Sequence, residues 1–142
     1  MNTLQLRVDV SDEEYGAEVR VLIDGRDLIE LARAVEVEFA AADGQPQLAG
    51  AYRGLDPVLW RELPEAYGDG RAAVLACECG QPGCWPLRVR ITVARETVTW
   101  SDFEQPHRAA WQLEHLGPFV FPRASCEAAV TAVGIWSVAR DV

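Results

Sequence analysis

The chain of 142 residues contains no lysine, and arginine supplies all 13 of its basic residues. A protein without lysine cannot form a Schiff base, use a lysine general base or hold a nucleotide phosphate with a Walker-type lysine. Because there are 22 acidic residues, the net charge is −9, and the phosphates of a nucleic acid would be repelled on average. The composition therefore excludes several catalytic classes and argues against nucleic-acid binding.

Long apolar runs and a secretory signal are also missing. No segment approaches the roughly 20 apolar residues of a membrane helix, and the start "MNTLQLRVDVSDEE" lacks a basic and apolar leader. Four cysteines in a chain of this length do not form the disulfide framework of a secreted protein. We therefore expect a cytoplasmic protein without membrane contact, folded as a single globular domain over residues 1–142.

Alternating apolar residues near the N-terminus predict an antiparallel hairpin. In "LQLRVDV" and "AEVRVLI" every second side chain is apolar, which is typical of half-buried strands. If Val10 faces Ala17, then Leu4 faces Ile23, and both apolar sets lie on one face of the hairpin.

Two helices and a second hairpin complete the predicted fold. Asp27 can cap a helix in which apolar residues recur at helical spacing, and Pro122 opens a second helix. The segments "WPLRVRITV" and "TVTWSDF" also alternate, in a register that pairs Arg88 with Phe103 and points Val93 inward. We expect an α+β fold: an antiparallel sheet of about five strands built from two hairpins, with two main helices packed on one face.

Residues 37–70 carry many glycines and prolines and are predicted to be irregular. A connection of this length is typical of a binding loop or conceals a strand. The segment "LAGAYRGL", which contains Tyr52, is therefore a candidate ligand or partner surface. The alternative is a loop packed against the core by Tyr52, Leu55 and Trp60. A short helix with Leu59 and Trp60 docked is expected within this region.

Three of the four cysteines, Cys77, Cys79 and Cys84, lie in the stretch "CECGQPGC". The letters "QPGC" predict a type II turn that folds Cys84 back toward Cys79. Two sulfurs on one zinc ion lie roughly 3.8 Å apart, whereas alternate residues of a flat strand lie about 6.6 Å apart. Cys77 can therefore join the pair only if the chain bends at Glu78. His107 is the candidate fourth ligand.

The spacing of this stretch leaves three interpretations open: a zinc site, a redox or disulfide pair, and reduced thiols packed in a tight turn. The fourth cysteine, Cys126, is predicted to be a small core residue on the second helix rather than a ligand.

A second candidate site is a strip of arginines. Arg88 and Arg90 share one face of a predicted strand, and Arg108 follows the hairpin. Together they are candidates for binding an anion, with Trp111 or Phe103 as a stacking surface. The alternative is that these arginines pair with carboxylates of the protein itself.

The combined motifs "CECGQPGCWPLRVRI", "VTWSDFEQPHRAAW" and "LGPFVFPRASCEAAV" resemble a family of small uncharacterised bacterial proteins, found mainly in actinobacteria. The shared patterns are C-x-C-G-x-x-G-C-W-P-L and W-x-x-F-x-x-P-H-R, and the resemblance covers nearly the whole chain. It implies no known activity. It does imply that the position of Cys126 is often aromatic, which speaks against Cys126 as a ligand.

These observations favour a small acidic interaction module without enzymatic activity, whose partner is a protein with a basic surface. The alternative is a thiol- or zinc-dependent enzyme or redox protein that uses Cys77, Cys79 and Cys84. Zinc is the only cofactor that the sequence suggests.

Overall fold

The computed structural model describes residues 1–10, 16–60, 70–78 and 84–140. Within them lie the following strands and α-helices: β1 (Leu4–Val10), β2 (Ala17–Ile23), β3 (Arg26–Asp27), α1 (Leu28–Ala42), β4 (Tyr52–Gly54), β5 (Arg71–Cys77), β6 (Leu87–Val93), β7 (Thr97–Glu104), β8 (Phe119–Pro122) and α2 (Arg123–Arg140). They form one antiparallel sheet in the order β1-β2-β3 and another in the order β4-β5-β6-β7-β8. The α+β class with a five-stranded antiparallel sheet is confirmed.

The first hairpin has the predicted register but a different place in the fold. Leu4 faces Ile23 and Val10 faces Ala17, as the apolar alternation requires. However, β2 continues into the two-residue strand β3, so this hairpin belongs to a small sheet of its own. The five-stranded sheet is built without it.

Helix α1 begins where the sequence predicts and ends later. The Asp27 side chain caps it by accepting a hydrogen bond from the Ile29 N–H at 2.8 Å. The helix continues to Ala42, so residues 37–42 are helical and the prediction of an irregular segment is wrong there. Alanine and glutamate favour helix at these positions. Every fourth residue from the start is buried: Leu28, Ala32, Glu36 and Ala40.

The segment after α1 packs into the core. Its Tyr52 begins β4, which runs antiparallel to β5, so this part of the predicted loop is a short strand. Tyr52 is 5%, Leu55 2% and Trp60 0% exposed, so the alternative of a packed segment is confirmed. The expected short helix is a 3-10 turn at Pro57–Trp60. Leu59 is 44% exposed, and its predicted docking is wrong because this turn directs Trp60 inward instead.

The two sheets meet where β2 passes β4. The Val19 N–H donates a hydrogen bond to the Leu55 carbonyl at 2.8 Å. Gly54 lies so close to β2 that a Cβ atom at this position would be 2.2 Å from the Val19 carbonyl oxygen. Only glycine permits this approach of two backbones.

Each helix covers a different set of strands. Helix α1 contacts β2 and β3, whereas α2 contacts β1 together with β7 and β8. The rings of Trp60, Trp100 and Phe121 fill the centre of the core and are each fully buried. Cys126 is also 0% exposed on the inner face of α2, as predicted. In the described part of the chain, no helix has the length and apolar character needed to cross a bilayer.

The β6–β7 hairpin keeps the predicted register at its tip and loses it further along. Ile91 faces Trp100, but Arg88 faces Glu104 rather than Phe103, because β7 carries one extra residue in a bulge. The left-handed backbone of Asp102, with φ of 53°, lies within this bulge. Val93, predicted to point inward, is 46% exposed because it ends β6 beside the exposed turn.

Candidate binding site

A groove of about 410 Å³ lies between the second half of β7 and the connector that leads to β8. Strand β8 pairs with Thr97–Trp100, the first half of β7. Residues 101–104 therefore extend beyond the end of β8, and connector residues 109–118 form the opposite wall. The bulge at Asp102 lies in this half of β7, which is paired with β6 along its other edge.

The groove combines an apolar floor with a mostly acidic rim. Its buried lining side chains are hydrophobic: Phe103, Trp111, Leu113 and Leu116. Its rim carries the carboxylates of Asp102, Glu104 and Glu114 and the guanidinium of Arg71. A ligand in this groove would meet three acidic groups and one basic group.

The rim carboxylates of β7 face the predicted arginine strip. Arg90 Nε lies 3.2 Å from Asp102, Arg88 Nη2 lies 3.7 Å from Glu104, and Arg71 Nη1 lies 3.4 Å from Glu104. These distances exceed the roughly 2.7–2.9 Å of a charge-assisted hydrogen bond. Arg88 and Arg90 are therefore arranged as the alternative interpretation expects, beside carboxylates of the protein, in loose ion pairs.

The connector wall is held by a cluster of aromatic and cationic side chains, which we call the indole cluster: Trp85, His107, Arg108 and Trp111. Trp85 is stacked on His107 with centroids 5.8 Å apart, and it contacts Trp111 edge-on at 6.0 Å. Arg108 lies 5.3 Å from the Trp85 centroid.

Asp43 joins the indole cluster to the end of α1. Its carboxylate accepts a hydrogen bond from Trp111 Nε1 at 2.9 Å and lies 3.7 Å from Arg108 Nε. The predicted site residues Arg108 and Trp111 are thus brought together, while Arg88 and Arg90 lie on β6. Trp111 is 6% exposed and lines the groove from its connector side.

The structure describes only part of the cysteine stretch. Cys77 ends β5 and is half-buried, and Cys84 is exposed just before Trp85. Cys79 and the predicted type II turn lie outside the described residues. His107 is packed on Trp85, the neighbour of Cys84. Among residues 1–10, 16–60, 70–78 and 84–140, no three His, Cys, Asp or Glu side chains are grouped to hold a metal ion.

Tyr52, predicted as a surface binding residue, instead forms part of a buried hydrogen-bond chain. Its hydroxyl donates to Glu36 Oε2 at 2.5 Å and accepts from Gln105 Nε2 at 3.2 Å. The sequence reasoning missed both partners. Glu36 was detectable, because it falls four residues after Ala32 and interrupts the apolar stripe of α1.

Burial has the largest effect on the pKa values of the titratable groups in this hydrogen-bond chain. Glu36 is 0% exposed, and burial raises the pKa of its carboxyl against the opposing effect of hydrogen bonds from Tyr52 and Gly50. Burial, followed by the nearby Glu36 charge, raises the pKa of the Tyr52 hydroxyl far above its usual range, so Tyr52 remains a proton donor.

Comparisons with protein-family models, with curated proteins and with solved structures find no match to this chain. The resemblance to a bacterial family stays a prediction, and the functional argument rests on the geometry of the groove and its surroundings.

Proposed function

We propose that this protein is a binding module without enzymatic activity, and that its groove takes up a basic, partly apolar segment of a partner protein. One observation carries the proposal: three carboxylates and a single arginine surround a floor made of buried hydrophobic side chains. Arginine and lysine side chains match such a surface, because their aliphatic stems pack on apolar groups while their charged ends reach carboxylates.

The charge of the rim is available to a partner. Asp102 is 59% and Glu104 31% exposed at the side chain, and their ion pairs with the arginines are long. A partner cation can therefore approach the carboxylates without breaking a buried bond. The net charge of −9 adds a long-range attraction for a basic surface.

A calorimetric titration with two synthetic peptides tests the chemistry of the groove. One peptide alternates arginine and leucine, and the other alternates glutamate and leucine. We expect binding of the first alone, with an affinity that falls as salt is raised. Equal binding of the acidic peptide, or binding of neither, would contradict the proposal.

Charge-neutralising variants locate the binding site. Glu114→Gln and Asp102→Asn should each weaken binding of the basic peptide about 1.5- to fivefold, the range expected for partly exposed ion pairs. Glu127→Gln is the matched control, because Glu127 lies on α2 and pairs with Arg123 at 2.7 Å away from the groove lining. An equal loss in the control would assign the effect to net charge alone. A pulldown from lysate at low and high salt then seeks the natural partner.

A thiol- or zinc-dependent function is the second candidate, supported by the packing of His107 on Trp85 beside Cys84. Zinc analysis of protein expressed with ample metal tests it, and less than about one-tenth of an equivalent would reject zinc. Thiol titration with and without a chelator tests the broader idea. Thiols that react fully and identically in both conditions, as ordinary thiols do, would reject a bound or activated cysteine.

A further inference from the structure

The buried hydrogen-bond chain has a fixed direction of donation at its Gln105 end. Gln105 Nε2 donates to the Pro86 carbonyl at 3.1 Å, and Gln105 Oε1 accepts from the His107 N–H at 3.0 Å. A flipped amide would set oxygen against oxygen and N–H against N–H. Gln105 therefore donates to the Tyr52 hydroxyl oxygen, and the hydroxyl proton must go to another acceptor.

That acceptor is Glu36, whose ionised carboxylate accepts a hydrogen bond at each of its two oxygens. Its Oε2 accepts from Tyr52 at 2.5 Å and its Oε1 accepts from the Gly50 N–H at 2.9 Å. A proton carried on Oε2 would instead be donated to the Tyr52 oxygen, which also accepts from Gln105. The hydroxyl hydrogen of Tyr52 would then lose its acceptor.

Burial acts in the opposite direction. Glu36 is completely buried, and burial favours its neutral form by raising its pKa. The hydrogen bonds favour the charged form, so burial and hydrogen bonding shift the pKa of Glu36 in opposite directions. Such a conflict makes the arrangement of the chain dependent on pH within the range in which the carboxyl titrates.

Other charged and titratable groups near the hydrogen-bond chain lie on α1, on β5 and in the turn after β7. On α1, Arg33 favours the ionised form of the carboxyl. On β5, Cys77 lies opposite Tyr52 in the strand ladder. In the turn after β7, His107 contributes its backbone N–H to Gln105, and Arg108 follows it.

We propose that Glu36 is a proton-sensitive site. Its protonation changes the hydrogen bonds of Tyr52 and Gln105 and thereby the turn that carries His107 and Arg108. Protonation of Glu36 on Oε2 removes the acceptor of the Tyr52 hydroxyl, and rotation of the Gln105 amide then supplies its Oε1 as a new acceptor. That rotation takes Oε1 away from the His107 N–H. Because this turn belongs to the indole cluster, protonation of Glu36 changes the position of the groove wall. This effect does not depend on which ligand the groove binds.

A pH titration followed by ¹⁵N–¹H NMR monitors the Glu36 end and the Gln105 end of the hydrogen-bond chain. The Gly50 amide reports directly on Glu36 Oε1, and the His107 amide reports on Gln105 Oε1. Between about pH 4 and pH 8.5, we expect both amides to shift with one shared midpoint. That midpoint should lie above 4.5, the ordinary value for a glutamate carboxyl.

Three variants separate transmission from local effects. In Glu36→Gln, whose amide mimics a protonated carboxyl, neither amide should follow the shared transition. In Tyr52→Phe, the Gly50 amide should still titrate, while the His107 amide no longer follows it. In His107→Gln, which removes the imidazole, the amide at position 107 should still shift with the midpoint of Gly50.

Two results would overturn the proposal. One is a His107 amide that stays still while Gly50 titrates in the unmodified protein. The other is a His107 amide that follows the same transition after Tyr52→Phe, which removes the hydroxyl linking Gln105 to Glu36. The second test does not require Glu36→Gln to fold, so the proposal stays falsifiable with Tyr52→Phe alone.

Discussion

Replacing Tyr52 by phenylalanine tests the energetic value of the buried chain. The change removes one hydroxyl, which donates to Glu36 at 2.5 Å and accepts from Gln105 at 3.2 Å. Hydrogen bonds to charged groups contribute about 1.5–3 kcal/mol, and Glu36 would keep only its bond to Gly50. Gln105 loses less, because its Nε2 still donates to Pro86. We expect a loss of about 2–3 kcal/mol in the free energy of unfolding at pH 8.

The size of this loss should depend on pH. The folded-state pKa of Glu36 lies above its unfolded value, so its contribution to stability is full at low pH and is lost as pH rises through the folded pKa. The bond from Tyr52 lowers that pKa. Tyr52→Phe therefore raises the pKa further and extends the loss to higher pH. At pH 4.5, where the folded carboxyl is mostly protonated, the cost of the substitution should be smaller than at pH 8.

Urea unfolding at pH 4.5 and pH 8 measures both quantities. With a slope of about 2 kcal/mol per molar urea, a loss of this size lowers the midpoint by about 1–1.5 M at pH 8. Val130→Ala is the matched control, because Val130 is a buried apolar residue on α2 and should cost the same at both pH values. A cost of Tyr52→Phe below about 0.5 kcal/mol at pH 8, or an equal cost at both pH values, would refute the reasoning.

Three further substitutions or reactions test other parts of the fold. Gly54→Ala should destabilise the protein by more than about 2 kcal/mol in thermal unfolding, because its Cβ would lie 2.2 Å from the Val19 carbonyl oxygen. Asp27→Ala should cost about 1–2 kcal/mol through loss of the α1 cap, while Asp27→Asn keeps most of it. In thiol labelling at pH 8, exposed Cys84 should react at once; burial raises the pKa of Cys126 to about 11, so Cys126 should react only on unfolding.

The strands could be predicted because their register follows from local alternation. Leu4 pairs with Ile23 and Ile91 with Trp100, as the apolar patterns require. The way in which the two sheets meet could not be predicted in the same way. It depends on one bridge between Val19 and Leu55 and on the close approach at Gly54, which are contacts between segments far apart in the chain.

The groove was not predicted from the sequence, because the bulge at Asp102 shifts the register of β7. Period-two patterning carries a strand register forward until a bulge shifts it by one residue. The bulge at Asp102 places Glu104, not Phe103, opposite Arg88, and Phe103 forms part of the groove floor. An aspartate in the left-handed region is uncommon, and nothing in the local alternation indicates it.

The binding roles predicted for the arginines and for Tyr52 stay predictions, but the structure shows what these side chains contact. Arginines in a chain with an excess of carboxylates were expected either to bind anions or to pair internally, and Arg88 and Arg90 lie beside Glu104 and Asp102. The sequence cannot separate these outcomes, because cross-strand neighbours depend on the bulge. Tyr52 was misplaced for a related reason: a tyrosine between glycines is typical of a loop, yet its hydroxyl has a buried carboxylate as partner.

The contacts made by two carboxylates of the α1 segment explain why Glu36 lies within the apolar stripe of this helix. Glu36 reaches the turn after β7 through Tyr52 and Gln105, and Asp43, at the end of the same helix, reaches it through Trp111. The two carboxylates therefore hold the indole cluster from two points about two helical turns apart. An apolar residue at position 36 would satisfy the stripe but leave Tyr52 and the Gly50 N–H without an acceptor, at a cost of about 1–3 kcal/mol each. In the proposed coupling, the buried carboxyl supports the groove wall through these hydrogen bonds, and its ionisation is the point at which pH acts on that wall.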